Sequence, residues 1–503
     1  MKLDKHWLAA TYADQMVDGG YPERVIQFGE GVFMRGFVDW IIHQLNKRTQ
    51  YRGRVVAVKP LPGNAQKVTQ FNQQDGLYTV WLRGVQDGQL INRKEVVTSV
   101  HRMLNPYEDW QAVLACARQP GIDIVVSNTT ESGLTYTPEP YLPGAAPASF
   151  PAKLTAYLYE RYVALDGDRN MGMDIVPCEL VEDNGNKLRE MVLRHAHDWR
   201  LPDDFVAWMT QHNYFYNTLV DSIVTKVSDE DADAIVKEFS YEDAFAVVRE
   251  PFHLWVIAGA ERLMQKWDFH ASGLNVKHVE DVTPYRLIKV RILNGAHTAL
   301  AALAHMSGRK TVKETVDDPI LGEFVRRLIH NEILPTLTKY NIPAADSLEF
   351  AVSVQERFAN PYLKHEVLAL QLNALSKIRV RLLPTLRDAV SLMGQVPPLL
   401  AMALAGQLLF YGGGVAQTGD AETRDNPTLV TALRASWAVE HESGLAAAVH
   451  HMLSLVDVWG EDLTSVDGLE AAIVHDIEQM RKVGVLEALS ERLSKEAENT
   501  FKE

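Results

Sequence analysis

The chain has 503 residues, 47% apolar and 23% charged, the balance of an ordinary soluble globular protein with room for two or three domains. Its formal net charge of −15 sets up a negative field that excludes nucleic acid and anionic membrane surfaces as general partners. Two cysteines, Cys116 and Cys178, exclude a disulfide scaffold and a cysteine-rich zinc site, so no metal is expected.

The opening residues carry charge throughout and lack an apolar signal core, which points to a cytoplasmic protein. Residues 24–28 (RVIQF) form a compact apolar strand, followed by a glycine turn and a helix-patterned segment, 32–48, that ends in basic residues. Further strands are predicted at 54–61, 77–84, 122–130 and 173–180, with helices at 110–118 and 187–199. Continuous apolar strands separated by helices predict an α/β Rossmann-type domain with a parallel sheet. From about Ser228 the texture becomes helical. Residues 231–239, 251–267, 286–306 and the run after Phe350 all read as helix. The apolar stretch 397–411 is too short to span a bilayer and contains Gln407, so it is expected to be a buried core helix. The expected organisation is a Rossmann-type dinucleotide-binding domain over residues 1–278 and a mostly helical substrate and catalytic domain over 279–503.

Gly29-Glu30-Gly31 follows the first strand and opens a helix, where a dinucleotide fold lets backbone N–H groups approach a pyrophosphate. Met34 stands where the fingerprint has its third glycine, so the match is incomplete. Arg35 lies one turn on, either near the phosphates or on a solvated face. Val58-Lys59-Pro60 ends the second strand without a carboxylate for the ribose, which leaves the choice between NAD and NADP open from the residues alone. Asn128, Thr129 and Glu131 follow another strand, in a position to face a nicotinamide or to cap a helix.

The stretch from Tyr285 to Leu300 carries the chemistry. Projected at about 100° per residue, Ile292, Leu293, Ala296, Ala299 and Leu300 form an apolar stripe with Lys289 in its middle. Asn294 and His297 lie on one flank, and Arg291 and Thr298 fall on the solvent-like side. A lysine on a buried stripe is costly unless it is paired, snorkelling or functional. Hydride transfer from an alcohol needs a base for the hydroxyl proton. Lysine can be that base, an asparagine amide can stabilise the alkoxide, and a histidine can orient the same oxygen. Taken singly, the histidine also fits a structural role and the asparagine before glycine a kink.

Lys289-x4-Asn294-x2-His297 resembles the K-x4-N-x2-H motif of the polyol-specific long-chain dehydrogenases, a family that includes mannitol dehydrogenase. Gly29-x-Gly31-x-Phe33-x-Arg35, Asn184-Gly185, Val220-Asp221, Glu250-Pro251-Phe252 with Trp255, and Arg357-Phe358-x-Asn360-Pro361 follow in the family's order. The likeness spans roughly residues 20 to 390, and residues 21–40 and 281–298 look like the members that act on sugar acids. The resemblance implies NAD as cofactor, bound around Phe28, Gly29, Gly31, Phe33 and Arg35, with metal-independent catalysis. It makes Lys289 the general base, Asn184 and Asn294 the oxyanion pair and His297 an orienting partner, with Asp221 near the substrate. A uronate substrate needs a fixed cation for its carboxylate, for which Arg357 is the first candidate, followed by Lys364 and His365. The partner is then a small sugar acid, and the protein a monomer or weak homo-oligomer.

Three other mechanisms make distinct expectations. Tyr285-x3-Lys289 has the spacing of a short-chain dehydrogenase, although Pro284 and the glycine spacing disagree. A zinc dehydrogenase lacks cysteine ligands, and a non-catalytic dinucleotide sensor would not need Lys289.

Overall fold

A computed structural model describes residues 3–12, 20–130, 132–412 and 425–500. Two compact units are present, Met1–Arg83 with Leu90–Val282, and Gly84–Gln89 with Thr283–Glu503.

In chain order the strands are β1 (Glu23–Phe28), β2 (Arg54–Val58), β3 (Tyr78–Gln86), β4 (Gln89–Val97), β5 (Val100–Leu104), β6 (Ile124–Ser127), β7 (Asp174–Pro177), β8 (Tyr214–Phe215), β9 (Thr218–Asp221), β10 (Val224–Lys226), β11 (Val247–Arg249), β12 (Leu254–Ala258) and β13 (Val276–Val279). Among the described residues, six of them form one sheet in the order β5-β2-β1-β6-β7-β8, with every neighbouring pair parallel. The chain reverses its direction of travel across the sheet between β1 and β6. In open α/β sheets such a switch point, at the carboxyl ends of the strands, is where ligands bind.

Both faces of this sheet are covered, which is why its strands are apolar without alternation. Val25, Val55, Ala57, Ile124 and Val126 face a core shared with Trp40, Ile41 and Leu45 of the helix Val38–Arg48. Their neighbours Ile26, Phe28, Val56, Val58 and Val125 face a second core with residues of the helices Trp110–Ala117, Phe150–Ala164 and Asn184–Asp198. Each fully buried Val or Ile contributes roughly 1.5–3 kcal/mol. The helix expected over 32–48 is broken at Phe37 into Val32–Gly36 and Val38–Arg48. Gly36 has no side chain where Val224 packs, since a Cβ there would lie 2.4 Å from Val224 Cγ1.

The segment 251–267 departs from its helical reading. It contains β12, antiparallel to β9 and parallel to β13, and only Glu261–Lys266 is helical. The run Leu254–Ile257 is buried on both faces, and so short an apolar run has no period that separates strand from helix. β10, β11, β3 and β4 form a further sheet.

The second unit is helical. Pro398–Phe410 is buried along nearly its whole length, and Gln407 donates to the Thr298 carbonyl at 2.9 Å. Among the described residues no helix is long and apolar enough to cross a membrane. Among the described residues three π-helical stretches interrupt the α-helices, at Lys289–Asn294, Leu328–Ile333 and Ile378–Leu382. The second and third are each followed by Leu-Pro-Thr-Leu, with Pro335 and Pro384. A proline inside a helix removes one N–H and crowds the carbonyl four residues back, and a widened turn at that point relieves both. Gly295 sits where the three meet: a Cβ there would lie 3.6 Å from Val290 O, 3.7 Å from Arg381 O and 4.0 Å from Ile333 Cδ1.

Candidate functional site

In the first unit the glycine turn borders a cavity of about 1000 Å³ lined by Gly31, Phe33, Arg35, Asn128 and Thr129 among others. The two glycines do different work. Gly29 has φ +124°, and a Cβ would lie 2.5 Å from the Asn128 carbonyl oxygen, so it lets the ends of β1 and β6 approach. Gly31 has ordinary φ, and a Cβ there would meet nothing within 4 Å, so its bare face opens on the cavity. Phe28 lies beneath the turn in the core, 1% exposed, against Phe150 and Tyr157. Glu131 lies outside the described residues.

Arg35 is buried rather than solvated. It donates to the carbonyls of Glu30 at 2.7 Å and Phe245 at 3.1 Å, and its guanidinium lies 3.9 Å from the Glu30 carboxylate. Lys67 also pairs with Glu30. Lys59 is buried and turns back onto its own loop, donating to the carbonyls of Leu61 and Pro62.

Glu179, which sequence reasoning missed, organises the loop after β6. Its carboxylate accepts from Ser127 Oγ at 3.0 Å and from Thr129 N at 2.9 Å, while Asn128 donates to Cys178 O at 2.9 Å. Burial raises the Glu179 pKa against these hydrogen bonds. An acidic residue directly after an apolar strand was the available signal. The cavity's other unforeseen wall, Asp243 to Ala246, arrives through pairing of β11 with β3 and leaves no local trace.

Asn184 is 1% exposed, at the start of the helix Asn184–Asp198. Its amide nitrogen donates to Glu179 O at 3.0 Å, with Pro177 O, Thr218 O and Thr218 Oγ1 also within 3.3 Å. Its oxygen accepts from Gly185 N and Thr218 N, both at 2.9 Å. It therefore clasps the end of β7 to β9, and an alkoxide would compete with carbonyls for its hydrogens. Asp221 closes β9 and is buried, opposite Leu254.

In the second unit, Lys289 and Asn294 are the first and last residues of the first π stretch. A π turn closes between residues five apart and brings them to the same side, whereas a regular α-helix would splay them. His297 follows Asn294 by three residues in Gly295–Met306, on the same side again. Lys289 and Asn294 are half-buried, and His297 is 8% exposed. The His297 ring stacks on Phe358, with centroids 4.3 Å apart, and meets His365 edge-on at 4.9 Å. Arg357, the neighbour of Phe358, is buried at the end of Ala344–Phe358. Burial, then the charge of Lys377, lowers the His365 pKa.

The expected solvent-like side is a correction. Arg291 and Thr298 are 3% and 2% exposed, and Arg291 pairs with Asp388 at 2.6 Å and donates to Thr336 Oγ1. The α-helical projection loses register across the π turn and misassigns the side of Arg291 and Thr298, while the apolar stripe of Ile292, Leu293, Ala296, Ala299 and Leu300 is buried as expected. Tyr285 donates to Asp346 Oδ2 at 3.0 Å, and burial with that carboxylate pushes its pKa up to about 12, which keeps the phenol protonated.

Two family models match the chain, the mannitol dehydrogenase Rossmann domain over residues 23–269 and the mannitol dehydrogenase C-terminal domain over 281–481. The chain belongs to the mannitol dehydrogenase family. It is an oxidoreductase acting on CH–OH groups. Among curated relatives, the altronate oxidoreductase of Halalkalibacterium halodurans is 40% identical, covering 93% of each chain. That of Bacillus subtilis is 39% identical, covering 94% of this chain and 95% of its own. Among solved structures, Pseudomonas fluorescens mannitol 2-dehydrogenase, a ternary complex with NAD and D-mannitol, matches 98% of this chain and 100% of its own with TM-score 0.67 at 22% identity. A substrate-free D-sorbitol dehydrogenase matches 97% of this chain and 100% of its own with TM-score 0.79 at 21% identity. At these identities the two solved structures speak for the fold of this family member.

Proposed function

We propose that the protein is an NAD-dependent tagaturonate reductase, interconverting D-tagaturonate and D-altronate. The observation that carries this reading is the near full-length likeness, at 39–40% identity, to two proteins named altronate oxidoreductase. The residues fit a dinucleotide, since Gly31 leaves open space at a switch-point cavity where a side chain would otherwise project. NAD(H), when bound, supplies or accepts the hydride. The non-phosphorylated cofactor is favoured because Arg35 and Lys67 both face Glu30 and Lys59 is turned onto its own loop, so none is reserved for a ribose phosphate.

In reduction, Lys289 Nζ gives a proton to the carbonyl oxygen as the hydride reaches its carbon. In oxidation it takes the hydroxyl proton back. The Asn294 amide donates to the same oxygen as charge develops, and His297, fixed by Phe358, orients it. Asn184 supports the reaction by fixing the ends of β7 and β9, and Asp221 and Arg357 serve the sugar chain.

NADH absorbance followed at neutral pH with tagaturonate, fructuronate and fructose in parallel, and with NADPH as control, tests this reading. Consumption of NADH with tagaturonate alone is expected. Consumption with fructuronate or fructose instead makes the protein a fructuronate reductase or a hexitol dehydrogenase. NADH binding without turnover on any of them makes it a dinucleotide sensor.

A further inference from the structure

Several cations of the second unit are paired with carboxylates. Arg291 and Lys339 share Asp388, Arg309 holds Asp318, and Arg327 holds Glu323. Lys377 and Arg381 have no such partner: among the described residues no carboxylate lies within ion-pair distance of either. Lys377 Nζ donates to Leu370 O at 2.9 Å, and Arg381 Nη1 to Thr298 Oγ1 at 3.4 Å. The carboxylate acting on Lys377 from further away is Asp425, which already accepts from Leu375 N, Tyr411 OH and Asn426 N.

These two cations lie beside the reactive helix and the His297–His365 pair. Arg381 touches Thr298, the residue after His297. The His297 ring meets His365. The charge of Lys377 acts on His365, and that of Arg381 acts on Lys377. Burial depresses the proton affinity of His365, Lys377 and Arg381 alike. Positive charge held half out of water, with like charge beside it, costs free energy until an anion arrives. In a protein of net charge −15, so local an excess of cations marks an anion seat.

We propose that Lys377 and Arg381 seat the carboxylate of the sugar-acid substrate, with His365 between that seat and His297. This inference rests on the uronate reading above and names the residues that make it a uronate site. A lysine point charge and the planar fork of an arginine, one helical turn apart, suit a carboxylate presented end-on. A neutral hexitol would leave both cations uncompensated, so the pair selects acids and rejects polyols.

The test is steady-state kinetics with tagaturonate and NADH on the wild type, Arg381→Gln, Lys377→Gln and Arg381→Lys. Calorimetric binding of D-altronate is measured alongside. For each glutamine variant KM is expected to rise on the order of tenfold to a hundredfold, the worth of a charge-assisted hydrogen bond. Altronate affinity should fall in parallel, kcat should stay within about threefold, and Arg381→Lys should recover part of the loss. Unchanged KM and altronate binding in both glutamine variants overturn the inference. So does a fall in kcat with KM intact, which would mark a structural role. Should Arg381→Gln not fold, Lys377→Gln and Arg381→Lys carry the same readouts. A wild type that binds altronate but does not turn over tagaturonate defeats the functional reading alone, and the altronate affinities of the variants still decide the seat.

Discussion

Around the glycine turn the buried and half-buried ionisable groups, cations and carboxylates alike, are committed to the protein's own backbone or side chains: Arg35 and Lys67 meet Glu30, and Lys59 meets its own loop. Glu179 holds Thr129 and Ser127, Asp243 holds Thr79 N and Phe245 N, and Asp39 lies between Gln27 and Tyr78. Around the π turn the half-buried groups near His297 are cations, and Lys377 and Arg381 have no carboxylate within reach among the described residues. The difference teaches how one chain builds two kinds of site. The first unit shapes its cavity with ionisable groups that are paired within the protein, so a ligand enters a mould whose charges are already matched. The second leaves charge uncompensated, so a ligand completes the electrostatics.

This contrast sets the order of expected effects. Lys289→Ala removes the proposed proton carrier and should lower kcat on the order of a thousandfold, read from NADH consumption at saturating substrates. Gly29→Ala strikes the mould itself. Its φ of +124° and the 2.5 Å approach to Asn128 O should cost about 3 kcal/mol in denaturant unfolding, from strain and overpacking together.

Asp39→Asn probes a buried carboxylate whose pKa is raised to about 7, chiefly by burial and against Gln27, Arg35 and Tyr78. A raised folded-state pKa means the native protein holds its proton while the unfolded chain, near pH 4, has released it. The stability due to that proton is full below about pH 4 and is lost as pH rises through about 7. The wild type should therefore lose on the order of 2 kcal/mol relative to Asp39→Asn between pH 5 and pH 8. Urea unfolding at the two pH values checks this, and a constant difference contradicts it. Gly31→Ala should be the mildest. Its Cβ meets no protein atom, so stability should hold, while the NADH dissociation constant rises about tenfold because the methyl group occupies ligand space.

The two units also differ in how far they can be read from sequence. β1, β2, β6 and β7 are legible because burial on both faces makes each a compact apolar run ending in polar residues. The same property hides β12, where Leu254–Ile257 looks equally like part of the helix that follows. Gly29, Gly31, Asn128 and Thr129 are legible because they sit at strand ends. Asp243 and Phe245 are not, since their place in the cavity comes from long-range strand pairing. In the helical unit Lys289, Asn294 and His297 stand out by residue type and spacing, yet the faces of Arg291 and Thr298 are misread. No residue between 289 and 294 announces a π turn, and the close approach of Gly295 to the other two π stretches is seen only in three dimensions. Lys377 and Arg381 read as ordinary helix cations until their lack of carboxylate partners is seen in three dimensions.

The most direct test of the claim that each unit carries its own half of the reaction is a fluorescence titration of NADH into Lys289→Ala. The division of labour predicts a dissociation constant within about twofold of the wild type in a variant that has lost its turnover. Loss of NADH binding together with turnover would contradict it, by making Lys289 a part of the cofactor site rather than the proton carrier.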